Sequence, residues 1–263
     1  MNKLGSAAMF FLGSLAAGGA QAAGATCQAH SGPQAGALLE LYTSEGCSSC
    51  PPADRWLANL AASADPTRLS LLGFHVDYWD EIGWRDRFAS HAYTQRQSAR
   101  VRTGGSTTIY TPQVMLGARL DQRWYKPDDV AAAIRSEQSR PSRVGLALSV
   151  SRQSPAILAD LKAMPLGPVP ESAQLYLAIY QNQLSSSVKA GENAGVTLRH
   201  EHVVRGFWGP WPITQTGAAQ TLRITPPKGA ELAQLGLTAF VQDARTGETL
   251  QALSLPLTGC AVP

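Results

Sequence analysis

The sequence predicts an α/β domain of element order β-α-β-α-β-β-α followed by an all-β, sandwich-like domain. Three observations carry this reading. Short apolar runs alternate with amphipathic stretches from Ala37 to about Gln138. The tetrapeptide Cys47-Ser48-Ser49-Cys50 stands where the first apolar run meets the first amphipathic stretch. Past Arg140-Pro141-Ser142 every regular segment reads as a strand.

The elements follow in order. Ala37 to Thr43 (ALLELYT) is a strand, and Pro51 to Ala64 a helix whose prolines fall in the first turn, where a missing N–H costs nothing. Leu69 to Tyr78 is a second strand, almost continuously apolar, as expected where both faces of a parallel sheet are covered. Glu81 to Arg102, rich in Arg, Gln, Ala and Ser, reads as a helix through Arg96. After the Gly104-Gly105-Ser106 break, Gln113 to Leu116 and Arg119 to Trp124 pair as a hairpin around Gly117-Ala118. Pro127-Asp128-Asp129 then opens a helix to about Gln138, its two carboxylates placed where the helix dipole favours them.

Beyond Ser142 seven strand-like segments are separated by Gly, Pro, Ser and Asn: Val144 to Ser151, Ala156 to Lys162, Ala173 to Gln181, Val196 to Val204, Gln220 to Thr225, Gly236 to Gln242 and Thr249 to Leu257. That number and spacing predict a sandwich. The expected boundaries are 1–22 for a signal peptide, 35–140 for the α/β domain and 143–260 for the all-β domain.

The signal peptide is read from Lys3, the apolar stretch from Leu4 to about Ala17 and the small residues Ala20-Gln21-Ala22. It places the mature chain in the periplasm or outside the cell. No later segment approaches the ~20 apolar residues of a membrane span, so no membrane anchor is expected. Removing Lys3 from 22 cations against 19 anions leaves an excess of about two, and the basic residues are scattered. That excludes a nucleic-acid groove or a polybasic membrane patch as the organising feature.

Four cysteines in an exported chain are even in number and uneven in placement. The simplest pairing joins Cys27 to Cys260 and leaves Cys47 and Cys50 for chemistry. Closing nearly the whole chain in this way contributes roughly 5 kcal/mol in the loop-entropy model. The alternative is two unpaired thiols at the ends.

With these elements in hand, the chain resembles the thioredoxin-like superfamily, and more closely the secreted bacterial family named domain of unknown function 1223. The residues that carry the resemblance are ELYTSEGCSSCPPAD (Glu40 to Asp54), FHVDYWD (Phe74 to Asp80), Gly83-Trp84, YTPQV (Tyr110 to Val114) and GENAGVTLRHEHVVR (Gly191 to Arg205). The resemblance implies a dithiol beside a cis proline that presents backbone to an extended substrate. Pro112, with Thr111 before it, fills that place. A trans proline that merely starts a strand is the alternative.

A thiolate attacks disulfides, and an ordinary cysteine is only about 3% ionised at neutral pH. The amides at a helix N-terminus favour the thiolate of Cys47, making it the nucleophile and Cys50 the resolving thiol. Thioredoxin carries a buried Asp six positions before its first cysteine. Leu41 stands there in this chain, and Glu40 is one step out of register. Glu40 is therefore either a buried proton acceptor or a structural carboxylate paired with an arginine. His75 and Asp77, two apart on one strand face, fall near the active end of the sheet. The candidate catalytic residues are thus Cys47, Cys50, Thr111, Pro112 and Glu40.

The function expected is thiol-disulfide exchange, with a thiol- or disulfide-containing protein as substrate, a redox partner protein, and no cofactor. Two other readings stand beside it. One is a metal-binding protein in which Cys47, Cys50 and His75 hold copper(I) or zinc, although two soft ligands are few for a closed site. The other is a non-catalytic binding module with a structural disulfide, in which the aromatic loop Phe207 to Pro212 meets a partner. Packing of that loop against the neighbouring domain is the plainer account. Gly191 to Gly195 reads as a turn.

Overall fold

The computed structural model describes residues 26–258 and 260; the expected signal segment 1–22 lies outside them. The fold is mixed α/β, mostly sheet with three helices. The strands are β1 (Thr26–His30), β2 (Ala37–Thr43), β3 (Leu69–His75), β4 (Gln113–Leu116), β5 (Val144–Gln153), β6 (Ala156–Pro165), β7 (Ala173–Gln181), β8 (Leu184–Ser187), β9 (Thr197–His200), β10 (Val203–Pro212), β11 (Ala218–Ile224), β12 (Leu235–Asp243) and β13 (Thr249–Pro256). The helices are α1 (Pro51–Ser63), α2 (His91–Thr103) and α3 (Pro127–Gln138). No helix among the described residues is long and apolar enough to cross a membrane.

Seven strands form one sheet in the order β13-β12-β7-β10-β3-β2-β4, and four form a second in the order β1-β5-β6-β11. Strands from both sides of Ser142 therefore share the large sheet. The seam between β3 and β10 is narrow, with Val203 opposite Gly73 and the Gly73 N–H donating to the His202 carbonyl at 2.8 Å. On one face of the large sheet α1 and α3 cover Leu39, Leu41 and Val114, and the four-stranded sheet covers Leu175, Leu177, Leu237 and Leu253. On the other face α2 covers Leu38, Tyr42, Phe74, Ala178 and Phe240. All seven residues of β2 are buried, which explains its near-continuous apolar run.

Cys27 and Cys260 are joined in a disulfide, with Cα atoms 5.7 Å apart. It ties β1, at the edge of the small sheet, to the segment following β13.

Several expected elements differ. The helix expected from Glu81 starts at His91, because residues 77–90 fold as turns held by their own carboxylates. Asp80 accepts the Asp86 N–H at 3.0 Å, and Asp86 accepts the Phe88 N–H at 2.8 Å. Such bonds offer the backbone an alternative to the helix ladder. The strand expected to Tyr78 accordingly ends at His75, and Asp77 lies outside it.

The second hairpin arm, Arg119 to Trp124, is not a strand. Leu116 and Arg119 exchange two 2.9 Å bonds around Gly117, whose φ of +53° suits a tight turn. The chain then wraps the sheet edge: Leu120 packs toward the α2 core and Trp124 toward the α1 core. Two residues four apart in a strand share a face, so strand geometry is incompatible with serving both.

The segment expected as one strand from Val196 to Val204 is split into β9 and β10 around a left-handed His202, φ +54°. Phe207 to Pro212, expected as a loop, is part of β10 and pairs with β7 through a bulge between Trp208 and Trp211. Its aromatics pack inward, Phe207 in the α2 core and Trp208 and Trp211 against the core between the two sheets. β1 and β8 had no strong pattern, being short and polar.

Candidate functional site

The dithiol sits on the turn that carries the chain from β2 into α1. Cys47 and Cys50 are joined in a disulfide with Cα atoms 5.4 Å apart. Cys50 occupies the N-cap position, Pro51 and Pro52 follow it, and the Cys50 carbonyl accepts the Ala53 and Asp54 N–H groups at 2.9 and 3.1 Å. Both cysteines are fully buried, whereas Ser48 and Ser49 are exposed. Cys47 Sγ lies 3.3 Å from Ser49 Oγ and 3.8 Å from the Thr111 carbonyl oxygen. The Thr111–Pro112 bond is cis, and the Thr111 hydroxyl accepts the Trp79 indole N–H at 2.8 Å. Cys47, Cys50, Thr111 and Pro112 thus come together as one site.

Glu40 does not join them. It lies on the opposite face of the large sheet, where Arg96 donates to its two oxygens at 2.8 and 3.0 Å and the Tyr42 hydroxyl donates at 2.7 Å. Arg100 approaches it at 3.5 Å. Burial raises the Glu40 pKa, but Arg96 and Arg100 outweigh it and hold the carboxyl below its ordinary range. Arg96 is enclosed in turn by the rings of Phe74, Tyr176, Phe207 and Phe240, 4.9 to 5.5 Å from their centres. Of the two roles open to Glu40, the structure fits the paired carboxylate.

On the dithiol's own side of the sheet lies a different set of titratable side chains. Glu45, Asp54, His75, Asp86 and His200 are all buried together. His75 Nδ1 bonds Asp86 Oδ2 at 2.6 Å, and Asp86 also accepts the Glu45 N–H at 2.9 Å. Glu45 takes the Trp84 indole N–H at 2.8 Å. His200, from β9, stands between Glu45 Oε1 at 3.3 Å and Asp54 Oδ2 at 3.6 Å, near enough for ion pairing but without an aligned hydrogen bond.

The electrostatics differ within this set. Burial raises Asp86, but His75 and the two backbone amides more than reverse it, leaving the carboxyl at about 2. Burial lowers His75, and Asp86 overcomes that and raises it. For Asp54 burial prevails over His200, His75 and the Thr43 hydroxyl, so its pKa stands above the usual aspartate value. Asp54 is therefore the carboxyl of this set whose surroundings shift it toward the protonated form. Asp77 belongs elsewhere, bonded to the Thr94 hydroxyl and to His91.

The turn between β8 and β9 closes the site from the far half of the chain. Asn193 Nδ2 donates to the carbonyls of Glu45 and Cys47 at 2.8 and 3.0 Å, and the Glu192 carboxylate accepts the Ser48 N–H at 3.0 Å. Gly191 to Gly195 does form a turn, as its composition suggested. Its contact with the dithiol was not foreseen. Asp54, Asp86, Glu192, Asn193 and His200 were all missed as site residues. Asp54, Glu192, Asn193 and His200 stand within the segments that carry the family resemblance, which was the available signal. As for metals, no group of three or more His, Cys, Asp or Glu side chains among the described residues is arranged to hold an ion.

Fold and site together define a mixed α/β protein with a CxxC disulfide at a helix start, next to a cis Thr-Pro step. The chain belongs to the family described as protein of unknown function (DUF1223), whose profile matches residues 38–242. No curated protein matches it. Two solved structures share the fold. Protein AGR_C_4864 from Agrobacterium tumefaciens is 23% identical with a TM-score of 0.59, over 83% of this chain and 93% of that one. HBP35 of Porphyromonas gingivalis is 14% identical with a TM-score of 0.66, over 86% of this chain and 76% of that one.

Proposed function

We propose that this protein is an exported thiol-disulfide oxidoreductase of the thioredoxin-like kind, working in the periplasm or outside the cell through Cys47 and Cys50. The observation that carries the reading is the Cys47–Cys50 disulfide at the N-terminus of α1, within 3.8 Å of the backbone that precedes cis Pro112. The reduced Cys47 thiolate attacks a disulfide in a protein substrate, forming a Cys47–substrate S–S bond and releasing one substrate thiolate. Cys50 then loses its proton and attacks Cys47 Sγ, forming the intramolecular disulfide and releasing the second substrate thiolate. Two electrons pass to the substrate, and a redox partner protein returns them. Run backwards, the same steps oxidise a dithiol substrate.

Asp54 replaces Glu40 in this reading as the carboxyl able to hold a proton on the dithiol's side of the sheet. Because both cysteines are buried, exchange requires the segments packed over them to open. Thiol trapping in the native compartment tests the proposal. A Cys50→Ser variant is expected to be captured on partner proteins through Cys47, and the parent to be found in both oxidised and reduced forms. A Cys47–Cys50 pair that stays oxidised in mild reductant, with no captured partner, would overturn it.

A further inference from the structure

The second half of the chain places one negative charge on the lip of the dithiol. The Glu192 carboxylate accepts the N–H of Ser48, the residue immediately after Cys47. The Ser48 amide lies in the turn just before the N-cap residue Cys50, among the backbone N–H groups that stabilise a neighbouring thiolate. Glu192 occupies one of them and adds a negative charge at the amide next in sequence to Cys47.

The carboxylate is exposed, but its backbone is anchored on both sides. Asn193 is buried and bonded to the Glu45 and Cys47 carbonyls. Gly191, φ +72°, lies against Trp84 and the Ile82 carbonyl so closely that a Cβ would come within 3.1 to 3.3 Å of them. Gly195 N–H and Val196 N–H close the turn onto Val188 and Asn193. The Ser48 hydrogen bond holds Glu192 below the usual glutamate value. It is therefore charged throughout the range in which a thiol titrates.

The other charged or titratable groups packed under the dithiol are Glu45 of the same turn, Asp54 of α1, His75 of β3, Asp86, and His200 of β9. Among the described residues no lysine or arginine bonds to Cys47, Ser48 or Glu192 to offset the added charge.

We propose that Glu192 is a positioning residue for the dithiol: by capping the Ser48 amide with a carboxylate it disfavours the Cys47 thiolate and biases the pair toward the disulfide, setting the protein to donate electrons. The inference rests on the oxidoreductase reading and assigns that site its direction. It also gives the β8–β9 turn a role in the chemistry.

The test compares thiolate formation at Cys47, followed by ultraviolet absorbance against pH, in the Cys50→Ser protein with Glu192, Glu192→Gln or Glu192→Asp. The Gln variant is expected to lower the Cys47 pKa by roughly half a unit, about threefold more thiolate at a given pH below it. The Asp variant keeps the charge and should stay near the parent, and high salt should narrow the gap. With both cysteines present, Glu192→Gln should shift the equilibrium with glutathione about threefold toward the dithiol, ~14 mV. Gln and Asp variants that shift alike, or a Gln variant that does not shift, would overturn the proposal. The titration needs no turnover, so its failure is separable from a failure of partner trapping.

Discussion

Asp54 Oδ2 faces His200 Nδ1 at 3.6 Å, joining the first turn of α1 to a strand supplied by the far half of the chain. The other Asp54 oxygen accepts the Thr43 hydroxyl at 2.9 Å. Since burial leaves this carboxyl above its ordinary pKa, the folded state binds its proton more tightly than the unfolded chain does. Stability from this group is present at low pH and lost as pH rises through the aspartate range and past its folded value. Asp54→Asn keeps the shape and the Thr43 acceptor while removing the charge. In urea unfolding the variant should match the parent near pH 3.5 and be the more stable protein at pH 7. A variant that is less stable at pH 7 would show that the His200 pairing outweighs burial.

The Glu40–Arg96 pair predicts a separate behaviour. Removing Arg96 leaves a buried carboxylate whose remaining cation, Arg100, is 3.5 Å away, and empties the space among four aromatic rings. Breaking a buried pair in this way costs about 3 to 5 kcal/mol. Arg96→Met should lose stability on that scale by chemical denaturation, and adding Glu40→Gln should restore part of it. Glu40→Gln alone should leave the pH dependence of Cys47–Cys50 reduction unchanged, since the carboxylate is on the other face of the sheet. A displaced pH profile would return Glu40 to the proton-transfer machinery.

The elements legible in the sequence were those whose pattern is set locally. Ala37–Thr43, Pro127–Gln138 and Ala173–Gln181 form over the residues their periodicity and turn signals bound. The four cysteines also pair as their spacing suggested. Residues 81–90 read as the start of a helix but fold as turns, because Asp80 and Asp86 bond backbone amides, a competition invisible to composition. The site was half legible. Cys47, Cys50, Thr111 and Pro112 carry local signals, whereas Asp54 and His200 become a pair only when β9 is laid beside α1. The same holds for the large sheet, whose strands on either side of Ser142 pair at one register position, Val203 opposite Gly73.

Asn193 makes a stability prediction with a chemical readout. Its two hydrogen bonds satisfy the carbonyls of Glu45 and Cys47. Truncation to Ala leaves both without that donor, a loss of about 2 to 3 kcal/mol. It also frees the turn that carries Cys47. Asn193→Ala should lower the melting temperature and, in the reduced protein, speed alkylation of Cys47 at fixed pH. Unchanged alkylation would mean that the turn is held by α1 alone.

His202 sets the response to acid. It is partly buried, its ring tilted by 35° against Tyr180 with centres 4.6 Å apart, and the loss of solvent around it pushes its pKa down to about 4 from an ordinary 6.5. The folded state therefore resists its protonation. The stability it permits is present above pH 6.5 and lost as pH falls toward 4, on the order of 3 kcal/mol in all. His75 acts with the opposite sign, because Asp86 raises its pKa above the ordinary value, so protonation below pH 6.5 favours the fold. The two are separated by substitution. Asn tolerates the left-handed backbone at position 202, φ +54°, and does not titrate. His202→Asn should lose some stability at pH 7 through the lost ring contact with Tyr180, but much less than the parent loses between pH 7 and pH 4.5. Urea unfolding at the two pH values reads the difference directly. Parent and variant that lose equally on acidification would place the acid sensitivity in other groups.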